Sequence, residues 1–157
     1  MTQMSSGSIP DVKTFFPQIE NDLSLITWGH AINSMSLLEE AISDELYMML
    51  EADVSKGRLK NETTSKEIPI MAHPPETMSD LSLQMFIDEV IKANEEGKKI
   101  GVKLDFKNLD IVLQSLEILR KKSDKVCVNE LIFSDSKHII PFSYHLCSEL
   151  IDLSLFQ

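Results

Sequence analysis

Apolar positions along this chain follow two different spacings. Short apolar runs bounded by polar or turn residues predict strands over Leu23–Trp28, Tyr47–Val54, Ile68–Ala72 and Ile100–Phe106. Stretches with apolar residues three and four apart predict helices. Leu37, Leu38, Ala41 and Ile42 form one such stripe, behind a capping-box spacing at Ser36–Glu39. Leu83, Phe86, Ile87, Val90 and Ile91 form a second, after Ser79–Asp80 and before the stop signal Gly97. Leu109, Val112, Leu113, Leu116 and Leu119 form a third, with a basic last turn that suits the helix dipole. Lys56 to Lys66 is polar and reads as a surface loop, and His73-Pro74-Pro75 ends the third strand.

The order is therefore β-α-β-loop-β-α-β-α, which implies an α/β fold with a parallel sheet and right-handed crossovers. Ionisable residues at the ends of successive strands are what a TIM-type (β/α) barrel uses for catalysis, but such a barrel takes about 250 residues. The expectation is a partial barrel of about four βα units, a truncated form with exposed strand edges, low stability and little or no activity alone. Residues 1–10 are expected to be disordered, with a short helix over Pro10–Phe16. Residues 123–157 read as a divergent tail, with a fifth strand near Lys125–Phe133 and a short helix near Ser148–Leu153.

Composition narrows the class. A chain of 157 residues, 43% hydrophobic and 25% charged, is expected to form one globular domain. Its formal net charge of −10 argues against nucleic acid or an anionic membrane surface as partner. A phosphate-bearing substrate stays open, because a metal ion inverts the local field. Cys127 and Cys147 fit neither a disulfide framework nor a zinc cluster and read as ordinary thiols. With no secretory h-region at the start and no membrane-length apolar run, the expected location is cytoplasmic.

Against that background the second strand is unusual. Met48-Met49-Leu50-Glu51-Ala52-Asp53-Val54 is an apolar run carrying two carboxylates. A strand has a period of two, so Glu51 and Asp53 point to one face. Two anions there repel unless a cation, a proton or a basic residue sits between them. His30, His73 and Asp105 also stand at strand ends, and Lys103 and Lys107 share the strand face of Asp105. Each residue alone has a plainer reading: a turn histidine, a strand-ending histidine, a solvated ion-paired face, and core packing for Trp28. Together, Glu51, Asp53 and Asp105 make an oxygen-rich site for Mg²⁺ or Ca²⁺. His30 and His73 are placed as general acid and base, and Lys103 and Lys107 can hold phosphate oxygens. That combination suits phosphodiester cleavage.

The stretches Gly29-His30-Ala31-Ile32-Asn33-Ser34, Glu51-Ala52-Asp53-Val54, Met71-Ala72-His73-Pro74-Pro75 and Lys103-Leu104-Asp105-Phe106-Lys107 resemble the menorin-like family. That family is similar in turn to the phospholipase C-like phosphodiesterases, including glycerophosphodiester phosphodiesterases and sphingomyelinase D. The resemblance covers about Asp11 to Lys122 and implies a phosphodiesterase domain there. It implies catalytic roles for His30 and His73, a metal on Glu51, Asp53 and Asp105, and phosphate binding by Lys107, with Lys103 and Asn33 beside it. A glycerophospho- or lysophospholipid-type substrate follows from the same likeness. So does the alternative of a non-enzymatic interaction or regulatory protein acting in neural tissue.

Overall fold

The computed structural model describes residues 15–20, 22–63, 66–122, 128–135 and 138–140. In chain order the elements are β1 (Trp28–Gly29), α1 (Met35–Ser43), β2 (Met49–Leu59), β3 (Ile68–Met71), β4 (Met78–Ser79), α2 (Leu83–Glu95), β5 (Gly101–Phe106), α3 (Val112–Arg120), β6 (Val128–Asp135) and β7 (His138–Ile140). All seven strands join one sheet. β1, β2, β5 and β6 are parallel neighbours in that order, and helices lie between them in the chain. The result is a mixed α/β fold built on a parallel sheet. Expectations for residues 1–14 and for the tail beyond residue 140, as well as for both cysteines, fall outside the described residues.

The alternation of side chains along β2 and β5 gives the sheet two unlike faces. Leu50, Ala52 and Val54, with Val102, Leu104 and Phe106, bury themselves against Leu38, Phe86, Ile87, Val90, Val112 and Leu116 of the helices. On the other face Met49 packs on Phe16 and Ile19 near the start of the strand. Glu51 and Asp53 follow further along that same face. The helices are held by local signals. Ser34 and Ser82 accept hydrogen bonds from the amides of Leu37 and Met85, and so cap α1 and α2. At the end of α2, Gly97 takes φ 101°, and Lys98 N–H bonds the Ala93 carbonyl in a Schellman-type stop.

Several sequence expectations are corrected. The first strand is only Trp28–Gly29, because Asp22 accepts hydrogen bonds from the Ser24 amide and hydroxyl and turns Leu23–Leu25 into a 3-10 turn. The cap of α1 is Ser34, not Ser36, which lies inside the helix. The third apolar stripe begins as a 3-10 turn, Leu109–Ile111, and leaves Leu109 and Leu113 exposed. The largest change concerns β2 and β3. β3 runs antiparallel to β2, with Val54 opposite Met71 and Gly57 opposite Ile68, so it is the returning arm of a hairpin. That return supplies ladder partners for Ser55 to Gly57, and β2 therefore continues through them to Leu59 instead of ending at Val54. β6 stands in parallel beside β5, and β7 turns back antiparallel to β6.

Gly57, which reads as a turn residue, is required by a close approach. A Cβ there would lie against the Thr77 carbonyl and the Ile70 side chain, closer than real Cβ atoms come to their neighbours. The Arg58 amide donates to the same Thr77 carbonyl, so the two backbones have no room to part. Gly57→Ala should lower stability by about 1–3 kcal/mol, the usual cost of overpacking. Thermal unfolding followed by circular dichroism would register the loss, and an unchanged midpoint would show that the hairpin crossing is loose.

Candidate functional site

The β2–β5 ladder is in register from Met49 opposite Gly101 to Val54 opposite Phe106. Asp53 is therefore directly opposite Asp105, and Glu51 is opposite Lys103, all on the face away from the helices. Glu51, Asp53 and Asp105 each bring one carboxylate oxygen into a group spanning no more than 4.8 Å. Asp53 is 5% exposed, so its charge is largely removed from water. Like charges held this closely in a partly dry site need a cation.

Lys107 supplies one. Its amide donates to the Val54 carbonyl at 2.9 Å, extending the ladder one residue past β5. The side chain then returns over the strand ends. Lys107 Nζ lies 2.9 Å from Asp53 Oδ1 and 2.7 Å from Asp105 Oδ2, and its side chain is 13% exposed. Burial by itself pulls the lysine pKa down. The hydrogen bonds to Asp105 and Asp53, together with their charges, outweigh it and hold the ammonium above the ordinary 10.5.

The segment after β1 is fastened to the other side of the same carboxylates. Ala31 takes φ 53°, a left-handed conformation unfavourable for a residue with a Cβ. Its N–H donates to Glu51 Oε2 at 2.9 Å, and the Ile32 N–H donates to the Glu51 carbonyl at 3.0 Å. Ile32 is buried in the helix-side core and anchors the turn. Asn33 then clamps Asp53. Asn33 Nδ2 donates to Asp53 Oδ2 at 2.7 Å, and Asn33 Oδ1 accepts the Asp53 N–H at 2.9 Å. Both ends of the amide are engaged with Asp53, which makes Asn33 a positioning group for that carboxylate.

The two histidines approach from opposite directions. The carbonyls of Glu51 and Asp53 point to the same edge of β2, as alternate residues of a strand do. Ile32, just past β1, bonds the first, and Ala72, just past β3, bonds the second at 3.0 Å. The hairpin thus brings His73 back toward the carboxylate level, although β3 runs against β2. His30 stacks on Trp28 with ring centroids 6.2 Å apart, and its Nδ1 is 3.7 Å from Glu51 Oε2. Its side chain is 70% exposed. His73 is exposed as well, with Nδ1 2.7 Å from the Pro74 carbonyl oxygen. Lys103 lies over the Trp28 ring with Nζ 5.8 Å from its centroid, beside the acidic group.

Two contributors carried no sequence signal. The Ala31 N–H is a backbone donor that any residue type would present. Asn108, whose Oδ1 accepts the Lys56 N–H at 2.8 Å, ties the extended β2 to the segment carrying Lys107. Lys56 reinforces that tie through an ion pair to Asp110, and a second ion pair joins it to Glu67 just before β3.

A parallel sheet backed by helices on one face, with three clustered carboxylates and a bridging lysine on the other, defines an α/β protein with a candidate cation site. Residues 22–135 match the family described as Menorin N-terminal domain, and the chain belongs to that family. It is also 44% identical over 94 residues to Protein FAM151B from Homo sapiens, an alignment covering 60% of this chain and 31% of that protein. The chain thus spans about a third of that relative's length. No solved structure matches the chain. Among the described residues, no helix is long and apolar enough to cross a membrane.

Proposed function

We propose that Glu51, Asp53 and Asp105 hold a divalent cation, Mg²⁺ or Ca²⁺, in a phosphodiesterase-type site. The observation that carries this reading is the convergence of three carboxylate oxygens on one strand face beside a lysine. All three ligands are hard oxygens, the donor type that Mg²⁺ and Ca²⁺ select. The parallel strands β1, β2, β5 and β6 stand side by side in chain order, which supports reading them as one wall of a βα barrel. In such a wall the ends of the strands are where catalytic groups collect.

When bound, the cation supplies charge neutralisation and orientation for a phosphate group. Lys107 and Lys103 flank the carboxylates on the same strand and take phosphate oxygens. One of His30 and His73 accepts the proton of the attacking hydroxyl or water, and the other gives a proton to the leaving oxygen. Their neighbours Ile32 and Ala72 bond alternate carbonyls of one β2 edge, which supports taking the two histidines as a pair. The substrate class is a glycerophospho- or lysophospholipid-type diester.

A second reading is a non-enzymatic interaction or regulatory protein of the same family. The contacts of Lys107 favour it, because an ammonium between Asp53 and Asp105 answers their repulsion without any metal. Titration calorimetry with Mg²⁺ and Ca²⁺ on the chain and on Glu51→Ala/Asp53→Ala separates the two. The first reading predicts a single site lost in the double variant. No binding by the unaltered chain overturns it and leaves the second.

A further inference from the structure

We infer that Lys107 is a built-in counter-ion of the carboxylate cluster that an entering divalent ion must displace, so that cation and phosphate are taken up in a fixed order. This inference rests on the cation site proposed above and concerns its regulation. Asp53 Oδ1 and Asp105 Oδ2 are the oxygens that Lys107 Nζ approaches at 2.9 and 2.7 Å. The other oxygen of Asp53 already accepts from the Asn33 amide at 2.7 Å. The Asn33 clamp cannot simply turn over, because its Oδ1 is engaged by the Asp53 N–H. Both Asp53 oxygens are thus engaged, Oδ2 by Asn33 and Oδ1 by the lysine.

A divalent ion drawing on Asp53 and Asp105 needs carboxylate oxygens at about 2.0–2.6 Å. It would meet an ammonium on those same oxygens, and two cations sharing one pair of anions repel. Entry of the ion therefore displaces the ammonium. The lysine side chain has a flexible four-carbon stem with rotatable donors, so displacement requires no backbone movement. The released ammonium stays beside the site and becomes available to a phosphate oxygen. Before the ion enters, those same N–H groups are committed to Asp53 and Asp105. Cation binding and phosphate binding are then positively coupled, and by linkage each strengthens the other by the same factor.

The test uses the whole chain, with Mg²⁺ alone, inorganic phosphate alone, and phosphate at saturating Mg²⁺, each followed by titration calorimetry. Lys107→Met removes the charge and nearly keeps the shape. It should bind Mg²⁺ at least about tenfold more tightly than the unaltered chain, as expected when a competing cation is removed. Its phosphate binding should be weak with or without Mg²⁺, whereas the unaltered chain should bind phosphate measurably only with Mg²⁺ present. Lys107→Gln provides a second neutral variant where the methionine chain folds poorly, with circular dichroism as the check. Lys107→Arg keeps the charge and should gain no Mg²⁺ affinity. Equal or weaker Mg²⁺ binding in both neutral variants, with binding intact in the unaltered chain, overturns the counter-ion role and leaves the cation site standing. Absence of binding in the unaltered chain and in every variant overturns the cation site itself. Binding that appears only in the neutral variants would overturn the ordered uptake, since the unaltered chain would then take no cation.

Discussion

On the phosphodiesterase reading proposed above, His30→Ala and His73→Ala in a full-length form should each slow hydrolysis of a lysophospholipid or glycerophosphodiester by at least about a hundredfold, the lower range for a general acid or base. The two losses have different structural settings. His30 sits against the Trp28 ring and 3.7 Å from a Glu51 oxygen, so its imidazole is held by neighbours on β1 and β2. His73 is carried on the return of the hairpin, one residue beyond the Ala72 N–H that bonds Asp53. Both side chains are exposed, so their removal should leave the thermal midpoint nearly unchanged. Turnover near that of the unaltered protein in either variant removes that histidine from the mechanism.

Asp53→Ala should produce the largest combined effect on binding and stability. Asp53 is nearly buried, accepts from Asn33, pairs with Lys107 and lies opposite Asp105. Truncating it strands the Asn33 amide group that it accepted from and removes one of the two lysine partners. The expected cost is about 1–3 kcal/mol, the penalty for leaving buried polar groups unmatched. Divalent-ion affinity should fall by more than the about 10–100-fold that loss of an outer-shell partner brings. Asp53→Asn separates the two effects. It keeps the shape and one of the two acceptor oxygens, so part of the stability should return while metal affinity stays low. Asn33→Ala should fall in the outer-shell range, since it acts only through Asp53. Calorimetry and thermal unfolding on the same samples check each of these, and full metal affinity in Asp53→Ala would exclude that carboxylate as a ligand.

Much of the site was legible in the sequence because it follows from a period of two. Glu51 and Asp53 on one face, and Lys103, Asp105 and Lys107 on another strand, need only the alternation of a β-strand to be aligned. The repulsion of Glu51 and Asp53 called for a cation or basic group near them, and the structure sets Lys107 between Asp53 and Asp105 instead. The helix stripe from Leu83 to Ile91 was equally plain, since five apolar residues at helical spacing bury together.

The direction of β3 was not legible, because an apolar run such as Ile68–Met71 looks the same in a parallel and an antiparallel ladder. Gly57 misled for a related reason. Its composition signals a turn, but the glycine is there to let Thr77 pass. The Leu23–Leu25 run reads as a strand because the competing hydrogen bonds from Ser24 to Asp22 are a local polar choice that an apolar pattern hides. The clamp of Asn33 on Asp53 was not legible either, because it depends on a turn at Ala31 whose positive φ no residue type announces.

The most direct measurement is a crystal of the chain soaked in Mn²⁺ and examined by anomalous scattering at the manganese edge. One strong peak is expected within about 2.0–2.6 Å of oxygens from Glu51, Asp53 and Asp105, with the Lys107 ammonium moved off Asp53 and Asp105. A cluster without a peak, with Lys107 still bridging the two aspartates at saturating Mn²⁺, would contradict it.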